Sequence, residues 1–341
     1  MINVGIVGYG LAGKVFHAPF VASVEGLKLA AIVRRSGEPD PKYPGTRFVR
    51  SVSELLAMQE IDLVVIATPN DVHAQIAKEA LLAGKHVVVD KPFTSTLKEA
   101  EEVVAIAEKQ RRIVTVFQNR RWDGDFMTVK QLLGSGQLGR VVIFETHFDR
   151  FRPGLRGTWH ERVIPGMGLL FDLGPHLIDQ TMELFGTPEA IFADLRKERD
   201  GTPVDDAIDV TFYYPNLRAL LRATTLAAKP GSRYWICGDK GSYTKYGLDP
   251  QEQAGKDGVE PGTPGWGEEP ESAWGKLTFA NEERRVPTVA GNYRRYYENV
   301  RDAILGTAQI NVTPQQAINV MRALEMAIES SNKRCAIPWN T

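Results

Sequence analysis

The first 120 residues alternate between short apolar runs and segments whose apolar residues recur at helical spacing. Near-continuous Val and Ile runs are typical of strands buried on both faces, as in a parallel sheet. The pattern predicts strands at 3–10, 27–35, 61–69, 85–90 and 112–118. It predicts helices at 15–24, at 70–84 with cap candidates Asn70 and Asp71, and at 96–110 with Thr96 and Glu99 at capping-box spacing. This alternation indicates a doubly wound α/β domain of the Rossmann type over residues 1–120.

From residue 121 onward, strand patterns follow one another without regular helices between them. Strands are predicted at 140–151, 189–199, 207–215, 217–226, 233–239 and 276–280. Helices are predicted at 122–139, 292–305 and 313–333, the last capped by Thr313 with Pro314 at its first position. The Gly-, Pro- and Glu-rich stretch 247–275 is expected to be a long exposed loop. We therefore predict that residues 121–341 form an α+β domain built on a largely antiparallel open sheet. This domain is expected to serve substrate binding and oligomerisation.

Composition narrows the class of protein. The 341 residues carry 41 Lys and Arg against 42 Asp and Glu, so no basic face for nucleic acid is expected. No apolar run is long enough for a transmembrane helix, and the first residues lack a signal-peptide pattern, so no membrane association is expected. Two cysteines, Cys237 and Cys335, are too few for a disulfide framework or a structural zinc site. We expect a cytoplasmic protein without a bound metal.

A glycine motif, GYGLAG at residues 8–13, ends the first strand and opens the first helix. In this context the motif predicts a dinucleotide site. Gly8 permits the tight turn, Gly10 lets the backbone approach a pyrophosphate, and Gly13 lets helix and strand pack closely. Backbone N–H groups of the helix start, at Leu11 and Ala12, would face the phosphates. A glycine turn without a cofactor is the alternative.

The end of the second strand bears on which dinucleotide is bound. An NAD site places an acidic residue roughly 20 positions after the glycines, where it holds the ribose 2′-hydroxyl. This chain has Arg34-Arg35-Ser36 there instead. Guanidinium groups match the oxygens of a 2′-phosphate, so NADP is predicted in preference to NAD. A solvated strand end is the alternative.

The loops after later strands are expected to face the same crevice, at the carboxyl ends of the strands. They are residues 67–73, 90–93 and 118–122. Lys91 is notable because the following Pro92 keeps it out of the α region. An ordinary surface lysine is the alternative. The cofactor contacts predicted from these loops are Thr68, Pro69, Asn70, His73, Lys91, Pro92 and Asn119.

Asp172 and His176 lie four residues apart in an apolar run and could share one helix face. If the helix begins at residue 173, Asp172 is its N-cap and Pro175 lies harmlessly in the first turn. If it begins near Gly166, the pair lies within the helix and proline removes one backbone hydrogen bond. A helix cap and a core histidine would explain both residues without catalysis.

Four motifs together bear on whether Asp172 and His176 are catalytic: GYGLAG, TPNDVH, VVVDKPF and FDLGPHLID. Their order and spacing closely resemble those of the Gfo/Idh/MocA family of NAD(P)-dependent sugar and polyol oxidoreductases, over essentially the whole chain. The stretches FQNRRWDGDF, HFDRFRPG and KYGLDPQE further resemble its NADP-dependent scyllo-inositol dehydrogenase branch. The resemblance implies that Lys91, Asp172 and His176 form the catalytic group. Many family members have Glu where this chain has Asp90.

The implied reaction is hydride transfer between NADP and a secondary alcohol of a cyclic polyol or sugar, with scyllo-inositol and its ketone first. His176 would act as general base, Lys91 would stabilise the alkoxide, and Asp172 would orient the imidazole. Asn119, Asp149, Arg152 and Trp159 would line the site, with Asn119 and Trp159 also near the cofactor. A dehydrogenase of another sugar, a non-catalytic dinucleotide-binding regulator and a glycoside hydrolase using its cofactor transiently remain alternatives. A homodimer or homotetramer is expected.

Overall fold

The computed structural model describes residues 1–155, 157 and 161–339. The chain forms two compact units, each assembled from separate stretches of sequence. The first contains Met1–Asn119, Gln251–Trp266 and Asn292–Ile318. The second contains Arg120–Pro250, Gly267–Gly291 and Asn319–Thr341. Two late segments therefore pack with the N-terminal strands, far from their neighbours in sequence.

The first unit is built on a parallel sheet, as the apolar runs predict. In the described residues it has six strands in the order β3-β2-β1-β4-β5-β6. Val64, Val65, Val87 and Val88 are wholly buried, which explains why these strands read as continuous apolar runs. The strands are β1 Ile2–Val7, β2 Leu27–Val33, β3 Arg47–Val49, β4 Leu63–Ile66, β5 His86–Val89 and β6 Val114–Val116.

The second unit is built on a mixed sheet with nine strands in the described residues. Its order is β14-β13-β12-β11-β7-β10-β9-β8-β15, and the β7–β10 pair is parallel while the other pairings are antiparallel. The largely antiparallel sheet expected from the sequence is confirmed. The strands are β7 Val141–His147, β8 Ala190–Arg196, β9 Ala207–Tyr213, β10 Arg218–Thr224, β11 Tyr234–Gly238, β12 Ser242–Lys245, β13 Gly275–Thr278, β14 Glu283–Val286 and β15 Ile337–Pro338.

Helices cover both sheets. The α-helices are α1 Ala18–Ser23, α2 Val52–Leu56, α3 His73–Leu82, α4 Leu97–Gln110, α5 Gly124–Gly134, α6 Leu169–Phe185, α7 Gln251–Lys256, α8 Arg294–Ile304 and α9 Pro314–Lys333. A π-helical turn, Gly13–His17, leads directly into α1. No helix in the described ranges is both long and apolar enough to cross a bilayer.

The helix caps agree only partly with the sequence. The capping box of Thr96 and Glu99 opens α4 as predicted. Thr313 caps α9, accepting a hydrogen bond from the Gln316 backbone N–H at 3.2 Å. The caps predicted at Asn70 and Asp71 are wrong, because a 3₁₀ turn at Asn70–Val72 precedes α3 and no side chain caps that helix.

The stretch 247–275 is not the simple exposed loop that its composition predicts. It contains α7, and the amide oxygen of Gln251 accepts hydrogen bonds from Trp266 Nε1 at 3.0 Å and from the Tyr293 N–H at 2.8 Å. Trp266 also packs edge-to-face on Phe20 of α1, with ring centroids 5.9 Å apart. Residues 251–266 are therefore a structural part of the first unit.

The start of α6 decides between the two positions considered for Asp172. The helix begins at Leu169, and the Asp172 N–H donates to the Gly168 carbonyl at 3.1 Å. Asp172 is thus inside the helix, and Pro175 occupies its interior. Asp205 satisfies the first turn from elsewhere in the chain: its carboxylate accepts from Leu170 N–H at 2.7 Å. Burial raises the pKa of this carboxyl to about 6.

Substitutions of Asp205 should separate its effect on stability as a helix cap from the pH dependence of stability that its raised pKa causes. Asp205→Ala removes the acceptor for the first turn and should cost about 1 kcal/mol at pH 7, whereas Asp205→Asn keeps an acceptor. Because the folded-state pKa is raised, the folded wild type binds the proton more tightly, and its stability should fall as pH rises from 4 through 6. Asp205→Asn should lack this pH dependence.

Denaturant unfolding of the three proteins at pH 4.5, 6 and 7.5 would measure both effects. Equal stability of the Ala and Asn variants at every pH would contradict the assigned capping role.

Candidate functional site

The glycine turn after β1 is shaped by contacts between backbone atoms. Gly8 has a φ of +100°, and a Cβ there would lie 2.4 Å from the Ala67 carbonyl oxygen. A Cβ on Gly13 would lie 2.2 Å from the Gly8 carbonyl oxygen. Side chains are excluded at both positions. A Cβ on Gly10, by contrast, would have no atom within 4 Å among the described residues. Gly10 therefore leaves an open cradle.

The helix that follows the cradle begins at Leu11, and its first full turn closes when Lys14 N–H donates to the Gly10 carbonyl at 3.0 Å. Among the described residues, no side chain caps the π-helical turn at its N-cap residue, Ala12. Leu11, the first residue of this helix, is 63% exposed. An uncapped helix start beside an open glycine is the arrangement that binds a pyrophosphate, and these residues fit a dinucleotide.

Cationic side chains gather around Tyr9, inside the glycine motif. The Arg34 guanidinium carbon lies 6.0 Å from the Tyr9 ring centroid, and Lys14 Nζ lies 5.4 Å from it. The Tyr9 hydroxyl donates to Asp40 Oδ2 at 2.7 Å. Burial and the Asp40 carboxylate raise the pKa of Tyr9 well above its usual value, so the phenol stays a donor. Arg34 also donates to the Glu38 carbonyl, while Arg35 and Ser36 are exposed.

The loops after β4 and β5 are joined by one buried histidine. His73 Nε2 lies 2.9 Å from the Thr68 carbonyl oxygen, and its Nδ1 lies 2.9 Å from the Pro92 carbonyl oxygen. His73 is fully buried. Two of the predicted contact loops, those containing Thr68 and Lys91, therefore lie side by side at the carboxyl edge of the sheet.

Asp90 directly follows β5 and is held close to Lys91. The Lys91 backbone N–H donates to Asp90 Oδ1 at 2.8 Å, and Asp90 Oδ2 lies 3.7 Å from His17 Nε2. Burial alone would raise the pKa of Asp90, but the nearby His17, Lys91 and His73 hold it below its usual value. Asp90 is therefore an anion beside the Lys91 side chain.

In the second unit, α6 presents Asp172 and the buried His176. The Asp172 carboxylate forms an ion pair with Arg150, whose Nη1 lies 3.1 Å from Oδ2. The His176 ring stacks on Phe148, with centroids 6.4 Å apart and planes at 24°. Three guanidinium groups surround the same Phe148 ring, those of Arg120 at 4.7 Å, Arg150 at 5.3 Å and Arg233 at 5.5 Å. The histidine therefore lies against an aromatic ring flanked by guanidinium groups, two of which, Arg120 and Arg233, are themselves paired with Asp123 and Asp125.

The remaining predicted site residues have varied surroundings. Asp149 accepts from the Gly231 N–H at 2.9 Å and lies 3.1 Å from His147 Nδ1. Arg152 is half-buried, and its N–H donates to the Thr225 carbonyl at 2.7 Å. Asn119 is buried at the start of a 3₁₀ turn, Asn119–Trp122. Trp159 lies outside the described residues.

Arg150, which forms an ion pair with Asp172, is missing from the site that the sequence predicts. Phe144, Thr146 and Phe148 are buried, whereas Glu145, His147 and Asp149 alternate with them on the other face. A two-residue period continued past the end of β7 places Arg150 with Phe148, on the side of His176. That alternation was the available signal.

A Rossmann sheet with an open glycine cradle defines a dinucleotide-binding protein. A family model described as the NAD-binding Rossmann fold of an oxidoreductase family matches residues 2–118. A second, described as the C-terminal alpha/beta domain of the same family, matches residues 130–338. The chain belongs to the Gfo/Idh/MocA oxidoreductase family.

Individual relatives match along nearly their whole length. The chain is 46% identical to an oxidoreductase of Escherichia coli (strain K12), YdgJ, over 98% of both chains. It is 35% identical to the scyllo-inositol 2-dehydrogenase (NADP(+)) IolW of Bacillus subtilis (strain 168), over 98% of this chain and 95% of the relative. A solved structure, the oxidoreductase yvaA from Bacillus subtilis, has 35% identity and a TM-score of 0.96, covering 99% of this chain and 98% of that one.

Two alanine substitutions should distinguish packing from ligand binding in the cradle. Gly13→Ala forces a Cβ against the Gly8 carbonyl and should destabilise the fold by about 1–3 kcal/mol. Gly10→Ala meets no protein atom, so stability should be unchanged while the affinity for NADPH falls at least about tenfold.

Thermal unfolding and NADPH fluorescence titration of both variants would test this. Wild-type affinity in a folded Gly10→Ala protein would show that the pyrophosphate does not lie over Gly10.

Proposed function

We propose that this protein is an NADP-preferring oxidoreductase that transfers a hydride between NADP and a secondary alcohol of a cyclic polyol or sugar. Scyllo-inositol and its ketone, an inosose, are the first substrates to consider. The observation that carries the proposal is the open glycine cradle at Gly10, followed at the end of β2 by Arg34 instead of an acid. The relative IolW, whose name specifies scyllo-inositol and NADP, supports the substrate class.

The NADP preference rests on the charge around Tyr9. Arg34 and Lys14 both lie close to that ring, and the exposed Arg35 and Ser36 follow in sequence. Arginine forms paired, charge-assisted hydrogen bonds with phosphate oxygens. No carboxylate stands at position 34 to accept a hydrogen bond from a ribose 2′-hydroxyl.

The proposed catalytic group is Lys91, Asp172 and His176. When bound, the nicotinamide accepts or returns the hydride. His176 takes the hydroxyl proton, because an imidazole titrates near neutral pH. The Lys91 ammonium holds the substrate oxygen and stabilises the negative charge that develops on it. Asp172 orients the imidazole and the substrate, and its ion pair with Arg150, 3.1 Å between Nη1 and Oδ2, holds the carboxylate in place.

We also propose further contacts with the cofactor and with the substrate. Leu11 and Ala12 would offer backbone N–H groups to the phosphates, and Thr68, Pro69, Asn70, His73, Pro92 and Asn119 would line the cofactor. Asp149, Arg152 and Asn119 would lie towards the substrate, together with Arg150. Trp159 is proposed from the sequence alone.

A cofactor absorbance assay tests the proposal directly. Purified protein would be given scyllo-inositol, myo-inositol and glucose, each with NADP⁺ and with NAD⁺. Turnover of a polyol with NADP⁺ is the expected result. Turnover with NAD⁺ alone would keep the enzyme class and refute the cofactor assignment. Tight NADPH binding without turnover of any polyol would refute the substrate assignment.

Removing the proposed base should slow the chemical step selectively. His176→Ala should lower kcat by about 10²- to 10⁴-fold, because general base catalysis contributes that much. NADPH affinity, measured by fluorescence titration, should stay within about twofold of wild type, since uniform binding is not affected. Undiminished turnover in a correctly folded His176→Ala protein would rule out His176 as the base.

Removing Arg34 should reduce the discrimination between the two cofactors. Arg34→Ala should weaken NADPH binding about 10- to 100-fold and leave NADH binding nearly unchanged, because a charge-assisted hydrogen bond contributes about 1.5–3 kcal/mol. Arg47→Ala, at the exposed edge strand β3, is the matched control and should change neither affinity. Direct titration with both reduced cofactors measures the ratio. Equal losses for NADPH and NADH would contradict a 2′-phosphate contact.

A further inference from the structure

A buried histidine outside the proposed catalytic group lies next to Asp90, the residue before Lys91. His17 is the last residue of the π-helical turn that follows the glycine motif, and it is 0% exposed. Its ring packs against Phe117 with centroids 4.5 Å apart. Its Nδ1 lies 2.6 Å from the Tyr297 hydroxyl, and its Nε2 lies 3.7 Å from Asp90 Oδ2. The imidazole thus stands between a phenol and a carboxylate.

The hydrogen-bonding roles follow from the partners. Burial raises the pKa of Tyr297 far above its usual value, so its hydroxyl keeps a proton to donate. If that proton goes to Nδ1, the imidazole carries its own proton on Nε2, the nitrogen closer to Asp90. Among the described residues Nε2 has no hydrogen-bond partner, and 3.7 Å is longer than a hydrogen bond. The N–H dipole still attracts the carboxylate, because little water screens it there.

Several charged and titratable groups face the Asp90 carboxylate, directly after β5. The charged and titratable groups that face it are His17 from the π-helical turn, Lys91 on its own loop, His73 from α3 and Tyr297 from α8. Its Oδ1 is fixed by the Lys91 backbone N–H at 2.8 Å, and Oδ2 is the oxygen next to His17. Both carboxylate oxygens are therefore directed by named partners, one of them Lys91 itself.

We propose that His17 and Tyr297 are a positioning pair that holds the Asp90 carboxylate ionised and fixed. Through Asp90, the pair keeps the Lys91 backbone and its charged side chain in position. The pair acts through Asp90 and contacts no reacting atom. The proposal rests on the proposed function only in taking Lys91 as the residue that serves the reaction.

Two isosteric substitutions of His17 provide the test. Asn places an amide near the position of Nδ1, so it can keep the Tyr297 contact but presents nothing to Asp90. Gln places an amide N–H near the position of Nε2 and can keep the contact with Asp90. His17→Asn should lower kcat about tenfold and raise the titration midpoint of the Asp90 carboxyl, because the carboxylate loses a stabilising dipole. His17→Gln should restore most of both, and Tyr297→Phe should show an intermediate shift.

A measurement without substrate makes the result independent of the proposed function. The carboxyl ¹³C resonance of Asp90, assigned with Asp90→Asn, would be titrated in wild type and in each variant bound to NADPH. The expected result is a higher Asp90 titration midpoint in His17→Asn than in His17→Gln. Absence of turnover in the wild type would sink the proposed function and leave this titration intact.

Equal midpoints in wild type, His17→Asn and His17→Gln would overturn the positioning role and leave His17 as a packing residue. If His17→Asn does not fold, Tyr297→Phe carries the same comparison, because it removes one oxygen atom from an otherwise unchanged ring. An unchanged midpoint in Tyr297→Phe would then overturn the proposal.

Discussion

The close approach of two backbone segments at Gly8 is the constraint on which the first unit depends. The carbonyl of Ala67, just past β4, occupies the space that a side chain on Gly8 would need, and the Gly8 carbonyl does the same to Gly13. Strand, turn and helix can therefore pack with almost nothing between them. The same closeness leaves Gly10 uncovered and aims the uncapped helix start towards it. The shape that would receive a dinucleotide is a by-product of backbone packing.

Much of this could be predicted because the signals are local. The parallel sheet follows from runs of buried Val and Ile, and the caps at Thr96 and Thr313 need only residues three positions away. The glycine roles follow from their spacing. Non-local contacts are what these local patterns do not predict. The start of α6 depends on Asp205, 35 residues beyond Leu170, and no periodicity within α6 reveals that partner. The composition predicts a loop at Gln251 and Trp266 because their partners Tyr293 and Phe20 lie elsewhere in the first unit.

The same distinction between local and non-local signals applies to the predicted catalytic site. Family motifs single out Lys91, Asp172 and His176, but motifs say nothing about the groups that set their charge. Arg150 pairs with Asp172, and its side of the strand could have been read from alternation along β7. His17 has no such signal, since a histidine in an apolar helix is ordinary until its partners are known. Electrostatic support is therefore the part of a site that sequence patterns describe least well.

The contact between His17 and Tyr297 has a consequence for how the chain is made. The two residues are 280 positions apart, yet they share one buried cluster in the same unit. A ribosome releases the five strands that follow β1 in the first sheet long before it releases α8. During that interval the nascent sheet lacks residues 292–318, and Phe117 and His17 have no cover from Tyr296 and Tyr297. Such long-range closure slows folding, so completion of the first unit must await the synthesis of residues 292–318.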